Sequence, residues 1–200
     1  MSGMEWLLEA DRALLLWVQQ TNVSPSTDFI MLMLRNARTW LPLYAFILYW
    51  VIRYARPYPL YIILITVVCV GLADYGSASI LKPLFARERP CFEPTLEGMV
   101  RSLVGCGGHH SFPSSHASNH FALASFWYWA IWLVKGKRWS WLFVWAFIIG
   151  YAQVYVGKHY PLDIAGGALL GIFIGTAGAK CFEWLMVQRK RNDPYAASFD

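Results

Sequence analysis

Charge is what this sequence has least of. Only 14% of its 200 residues are Asp, Glu, Lys or Arg, against about 25% in soluble domains. That excludes an intrinsically disordered chain, which stays unfolded because charge outweighs apolar surface. Cysteine is scarce as well: four residues exclude a disulfide-dense mini-protein. Glycine and proline show no three-residue repeat, which excludes a collagen-like chain. The first twelve residues carry Glu5, Glu9 and Asp11 and lack a basic n-region. A cleavable signal peptide is therefore not expected, and insertion is expected through the chain's own spans.

What is abundant is apolar surface. Hydrophobic residues make up 57% of the chain and aromatic residues 17%, against roughly 45–50% apolar in soluble domains. A chain of one-domain length cannot hide that much from water. The reading is an integral membrane protein forming a single domain over residues 1–200. The net charge of +5 suits a membrane chain, whose basic residues collect at helix ends and anion sites. No basic run alternates with a stacking surface, so nucleic acid is not expected as a partner.

The fold expected is all-α: a membrane-embedded helical bundle of about five spans. They are Trp40–Ile52, short for a ~30 Å bilayer, Pro59–Ile80 interrupted by Asp74, Ala117–Val134, Trp139–Val156 and Ile164–Val187. In the last, Gly166, Gly167, Gly171, Gly175 and Gly178 are spaced for close helix packing. Residues 4–20 place Trp6, Leu7, Ala10, Leu14, Trp17 and Val18 on one helical face and Glu5, Glu9 and Arg12 elsewhere. That predicts an amphipathic helix lying in the interface, with a sixth span as the alternative. Ser24-Pro25-Ser26 is read as a break, and Phe29–Leu34 as a half-embedded apolar piece.

Basic residues tie in number between the two ends of the bundle. Those at 135–138 and 189–191 form compact clusters at span ends, so they are assigned to the cytoplasm and the 86–116 loop to the outside. All five histidines fall at the end that carries Lys82. In a chain this poor in polar residues, that points to one polar site.

Three segments carry candidate chemistry. Lys82 and Arg89 are seven apart, about two helical turns, so they share a face as an anion clamp; Pro90 then stops the helix. Pro113-Ser114-Ser115-His116 leads into an apolar helix. Free backbone N–H groups and the helix dipole there suit a phosphate, and Ser there also suits a plain helix cap. His159 and Asp163 are i and i+4, so a carboxylate can fix the imidazole tautomer and leave the other nitrogen as a nucleophile. Each segment alone also has a bland reading as snorkelling or capping residues.

Together, and in this order, the three segments resemble the type 2 phosphatidic acid phosphatase (PAP2) superfamily. That family carries Lys-x6-Arg-Pro, Pro-Ser-Gly-His and Ser-Arg-x5-His-x3-Asp. This chain has Lys82-x6-Arg89-Pro90, Pro113-Ser114-Ser115-His116 and Ala152-Gln153-x5-His159-x3-Asp163. The resemblance covers about residues 74–170. It implies a metal-independent, cofactor-free lipid phosphatase of the inner membrane with its site facing outward. It implies His159 as the nucleophile forming a phosphohistidine, Asp163 orienting it, and His116 as the acid and then base. Lys82, Arg89, Ser114, Ser115 and Gln153 would hold the phosphoryl oxygens. The substrate implied is a lipid phosphate or diphosphate of the undecaprenyl, phosphatidylglycerophosphate, phosphatidate or lipid A type. The alternative is a non-catalytic lipid-phosphate binder or transporter that kept the pocket.

Three positions depart from the family. Ser115 replaces Gly, a small change. Ala152 and Gln153 replace Ser and Arg, which removes a cation; Arg87 or Arg101 is expected to supply it. Asp74 is expected to hydrogen-bond within the bundle, to backbone or to Gln153. His116 and His120, i and i+4, have a spacing that can bind zinc, but no acid follows His116, and no metal is expected. His109 and His110 are expected to gate the site or touch a head group. Cys69 and Cys181 are expected as buried free thiols, and Cys91 with Cys106 as a loop-closing pair.

Overall fold

The computed structural model describes residues 3–21 and 23–192. Helices are α1 (Gly3–Gln20), α2 (Pro25–Leu34), α3 (Leu41–Tyr54), α4 (Pro59–Tyr75), α5 (Lys82–Phe85), α6 (Ser115–Lys135), α7 (Trp141–Tyr155) and α8 (Pro161–Asn192). No strand occurs among the described residues; one isolated bridge joins Glu88 to His110. A π-helical stretch, Gly76–Leu81, joins α4 to α5 without a break. Among the described residues, two helices are long and apolar enough to cross a membrane: Pro59–Phe85, 27 residues, and Pro161–Asn192, 32 residues. At 1.5 Å per residue the shorter is about 40 Å long. The other expected spans are helices too, but α3 has 14 residues and α7 has 15.

α6 and α8 form the centre of the bundle, and glycine decides how closely. Gly167, Gly171 and Gly175 recur every four residues along α8 and lie against the α6 backbone. A Cβ at Gly167 would stand 2.5 Å from the Ser114 carbonyl oxygen, and one at Gly175 2.5 Å from that of Ala122. At Gly171 it would strike the Ser118 carbonyl. Gly178 instead lets Cys69 of α4 approach. The small-residue stripe therefore brings the His116 end of α6 against the Asp163 end of α8.

α1 lies against the bundle in a way the sequence did not indicate. Trp6, Leu14 and Trp17 face outward, at 64%, 46% and 60% exposure. The docking face is Asp11, Leu15, Val18 and Gln19, all buried. Val18 thus leaves the predicted apolar face for the core. Two polar residues make the attachment. Gln19 Nε2 donates to the carbonyls of Arg101 and Tyr155 at 2.9 and 3.0 Å, and Gln19 Oε1 accepts from the Arg101 N–H at 3.1 Å.

The predicted break at Ser24 is a helix start. Ser24 Oγ accepts from the Thr27 N–H at 3.1 Å, and Pro25 opens the first turn of α2. Cys91 pairs with Cys106, as expected, with Cα atoms 6.2 Å apart. Cys69 is buried, but Cys181 is exposed on the outside of α8, contrary to expectation.

Candidate active site

The end of α4–α5, the start of α6 and the α7–α8 turn meet at one end of the bundle. The opposite end carries the α3–α4 turn and Arg189, which donates to the Pro57 carbonyl at 2.9 Å.

His159 sits in the turn before α8 and is 2% exposed; Asp163, one turn later, is fully buried. His159 Nδ1 donates to Asp163 Oδ2 at 3.3 Å, which leaves Nε2 as the lone-pair nitrogen. Burial holds the His159 ring below the usual histidine range; Asp163 pulls it back up, and Arg89 and Lys82 push it further down. A neutral, oriented imidazole is the form a nucleophile requires.

Asp163 is itself held from three sides. The Tyr160 N–H donates to Oδ2 at 2.9 Å. Arg87 Nη1 donates to Oδ1 at 3.0 Å. Its backbone carbonyl accepts from the Ser114 N–H at 3.0 Å, which ties the second motif to the third. Arg87 also reaches Asp11 Oδ2 of α1 at 2.7 Å and lies over the Tyr160 ring at 3.9 Å. Asp11 Oδ1 in turn accepts from the Leu162 N–H at 2.8 Å. Sequence reasoning missed this role for Asp11 and offered Arg87 as a phosphate ligand. The geometry gives Arg87 two carboxylates instead. Arg101, the other arginine expected to compensate for Gln153, is paired with Asp28 at 2.7 Å.

Lys82 and Ser115 come together: Lys82 Nζ donates to Ser115 Oγ at 3.0 Å, and Ser77 Oγ of the π-helical stretch donates to the same oxygen at 2.9 Å. Ser77 was not foreseen; an isolated serine in an apolar run carries no signal. Ser114 behaves differently from Ser115. It is fully buried, and its hydroxyl caps α6 by accepting from the Ala117 N–H at 3.4 Å. Arg89 is 7% exposed, and its Nη1 approaches the Lys158 carbonyl at 3.4 Å. Burial holds the Arg89 guanidinium below the usual arginine range, and Asp163 opposes this. Gln153 is fully buried on α7, and neither atom of its amide is hydrogen-bonded among the described residues.

His116 opens α6 beside this cluster. One turn on, His120 Nδ1 donates to the His116 carbonyl at 2.7 Å, so its Nε2 accepts from the Tyr44 hydroxyl at 3.2 Å. Asp74 is exposed and accepts from Asn119 Nδ2 at 3.1 Å, neither from backbone nor from Gln153. Its polarity meets α6, the neighbour that α4 leans on. His109 stacks on Phe92 at 4.5 Å, and its carbonyl accepts from the Arg89 N–H at 3.1 Å, so it shapes the loop that carries Arg89.

A nucleophile-ready histidine, its carboxylate, a second histidine and a lysine–serine–arginine group thus share one end of an apolar bundle. The sequence pattern of the PAP2 superfamily matches residues 58–187. The chain belongs to the PAP2 superfamily. It is 36% identical over 177 residues to the lipid A 4'-phosphatase of Bacteroides thetaiotaomicron, covering 86% of this chain and 76% of that protein. It is 28% identical over 176 residues to the lipid A 4'-phosphatase of Porphyromonas gingivalis, covering 86% and 72%. Among solved structures, it resembles a PAP2-type phosphatidylglycerolphosphate phosphatase from Bacillus subtilis with a TM-score of 0.66. That match is 22% identical, covers 88% of this chain and 86% of the other, and shows the fold alone. Aquifex aeolicus LpxE is similar with a TM-score of 0.55 at 27% identity, covering 84% and 93%. As a PAP2 member the chain is a membrane phosphatase acting on lipid phosphates.

Proposed function

We propose that this PAP2 chain removes a phosphate from a lipid A-type glycolipid at the outer face of a bacterial inner membrane. The whole chain acts as one domain, with α3, α4–α5, α6, α7 and α8 as spans and α1 in the interface. The observation that carries the chemistry is the fully buried Asp163 holding His159 by its Nδ1 opposite Lys82, Arg89 and Ser115.

In this reading His159 Nε2 attacks phosphorus, and the bond from phosphorus to the lipid oxygen breaks. His116 gives its proton to that leaving oxygen. Water then attacks the phosphohistidine, His116 takes the water's proton, and inorganic phosphate leaves with His159 restored. Lys82, Arg89, the Ser115 N–H and the α6 N-terminus face the negative charge that builds on the phosphoryl oxygens. Gln153 supplies a neutral amide there. Ser114 contributes by capping α6 and so setting the His116 turn. No resident metal or cofactor enters any step.

The lipid A assignment is supported by the two lipid A 4'-phosphatases matching across 86% of the chain. The undecaprenyl-diphosphatase of Bacillus subtilis matches over 41%. The lipid tail has a place as well. An apolar groove of about 440 Å³ between α3, α4 and α6 runs past Tyr44, Ile62, Thr66 and Trp127 to His120, one turn from His116.

The test is purified protein in detergent, with chelator, offered lipid A phosphates, undecaprenyl diphosphate, phosphatidylglycerophosphate and phosphatidate. Release of inorganic phosphate, fastest from lipid A, is expected. Tight binding without release from any lipid would replace this reading with that of a binder.

A further inference from the structure

Gln153 stands where the PAP2 pattern carries an arginine, and a neutral amide cannot balance phosphoryl charge. The cation is not recovered from Arg87 or Arg101, each of which is held by carboxylates. One further arginine lies within reach of this site. Arg35 ends α2, and its side chain makes no ion pair or hydrogen bond with a described residue. Its Nε is fully buried and unpaired among the described residues.

The path of α2 explains how Arg35 arrives there. Asp28, near the start of α2, accepts from the Tyr155 hydroxyl at the end of α7 at 2.7 Å. Trp40, just beyond α2, meets Trp145 in the first half of α7 with ring centroids 5.9 Å apart. α2 and the turn after it therefore run antiparallel along α7. Arg35 lies between those two contacts, beside the stretch of α7 that carries Gln153.

The charge of Arg35 is felt where the phosphate chemistry is. It acts on Lys158, whose ammonium is held below the usual lysine range by burial and then by Arg89, Arg35 and Lys82. Lys82, Arg89 and Arg35 thus all bear on Lys158. Two carboxylates bear on Lys82, Asp74 and Asp163; Asp163 is already engaged by Arg87 and His159, and Asp74 accepts from Asn119. Like charges gathered with so little opposite charge repel one another, and an anion among them relieves that repulsion.

We propose that Arg35 is the third phosphate-binding cation of this enzyme, supplying from α2 the charge that Gln153 does not provide. The proposal rests on the reading of the site as one for a lipid phosphate. The simpler role for Arg35, capping the α2 dipole, would touch stability alone.

The test uses the full-length protein in detergent and two readouts: binding of inorganic phosphate by calorimetry, and phosphate release from lipid A. Arg35→Gln is expected to weaken phosphate binding at least tenfold and to lower kcat/KM roughly a hundredfold, the scale for losing one oxyanion donor. Arg35→Gln combined with Gln153→Arg, which puts the cation back on α7, is expected to regain most of both. Arg35→Lys covers the case in which Arg35→Gln does not fold. It keeps the charge but loses the planar fork, so phosphate is expected to bind several-fold more weakly. Wild-type phosphate affinity in either single variant overturns the proposal, as does a folded Arg35→Gln protein that Gln153→Arg does not rescue. Arg35-dependent phosphate binding without release from any lipid would sink the hydrolase reading and leave this assignment standing.

Discussion

Arg87 Nη1 lies 3.0 Å from Asp163 Oδ1, on the far side of the carboxylate from His159. The same guanidinium holds Asp11 of α1 at 2.7 Å. The N-terminal helix is thereby connected through two ion pairs to the carboxylate that holds His159. A helix whose tryptophans face outward and whose aspartate faces inward is thus tied to the turn that carries His159.

The first prediction concerns that connection. Asp11→Asn removes one ion pair without changing shape and leaves His159 less firmly placed. A small misplacement of a reacting group costs on the order of a hundredfold, so kcat should fall by about that much while KM stays near wild type. Steady-state kinetics on a lipid phosphate decides it. An unchanged kcat would mean that α1 is attached but not coupled.

The two histidines should separate by leaving group. His159→Ala should abolish turnover. His116→Ala should slow turnover of lipid phosphates by roughly 10²–10⁴-fold, the range for general acid–base catalysis, and much less with an aryl phosphate whose leaving oxygen needs no proton. Equal losses on both substrates would remove His116 from the proton-transfer role.

pH dependence follows from the direction of the His159 shift. Burial keeps the ring neutral below the ordinary histidine pKa of about 6.5. The attacking form is therefore present above the lowered pKa and is lost as pH falls through it. The acid limb of kcat/KM should lie below about pH 6.5. An acid limb above neutrality, with no other group titrating there, would place a different residue in control.

The α6–α8 seam yields a stability prediction. Gly171→Ala drives a Cβ into the Ser118 carbonyl. Overpacking of this kind costs about 1–3 kcal/mol. Thermal unfolding in detergent should begin at lower temperature, and activity should fall, because the seam sets the distance between His116 and His159. Gly3, where a Cβ would meet nothing within 4 Å, should tolerate the same change.

Much of the bundle is legible in the sequence because apolar runs and caps are local signals. Ser114, read as a helix cap, starts α6 where the structure has it. His159 and Asp163 are legible because i and i+4 meet across the start of α8. Lys82 and Arg89 do not share a helix face as their spacing suggested, because α5 ends at Phe85 with Ala86 left-handed (φ 46°) and Arg89 lies in the loop beyond. Other features depend on which distant side chain arrives. α1 reads as apolar toward its support, yet it docks through Asp11 and Gln19, whose partners lie more than 70 residues away. Arg87 and Arg101 look like free cations until Asp11, Asp163 and Asp28 are in place. Arg35 gave no local sign, since an arginine at a helix end commonly serves the dipole.

Trapping the phosphoenzyme tests the central claim most directly. Wild-type protein mixed with radiolabelled lipid phosphate and quenched in base should carry label on His159, released by acid, and His159→Ala should carry none. Phosphate release by wild type with label on another residue, or undiminished release by His159→Ala, would contradict the account.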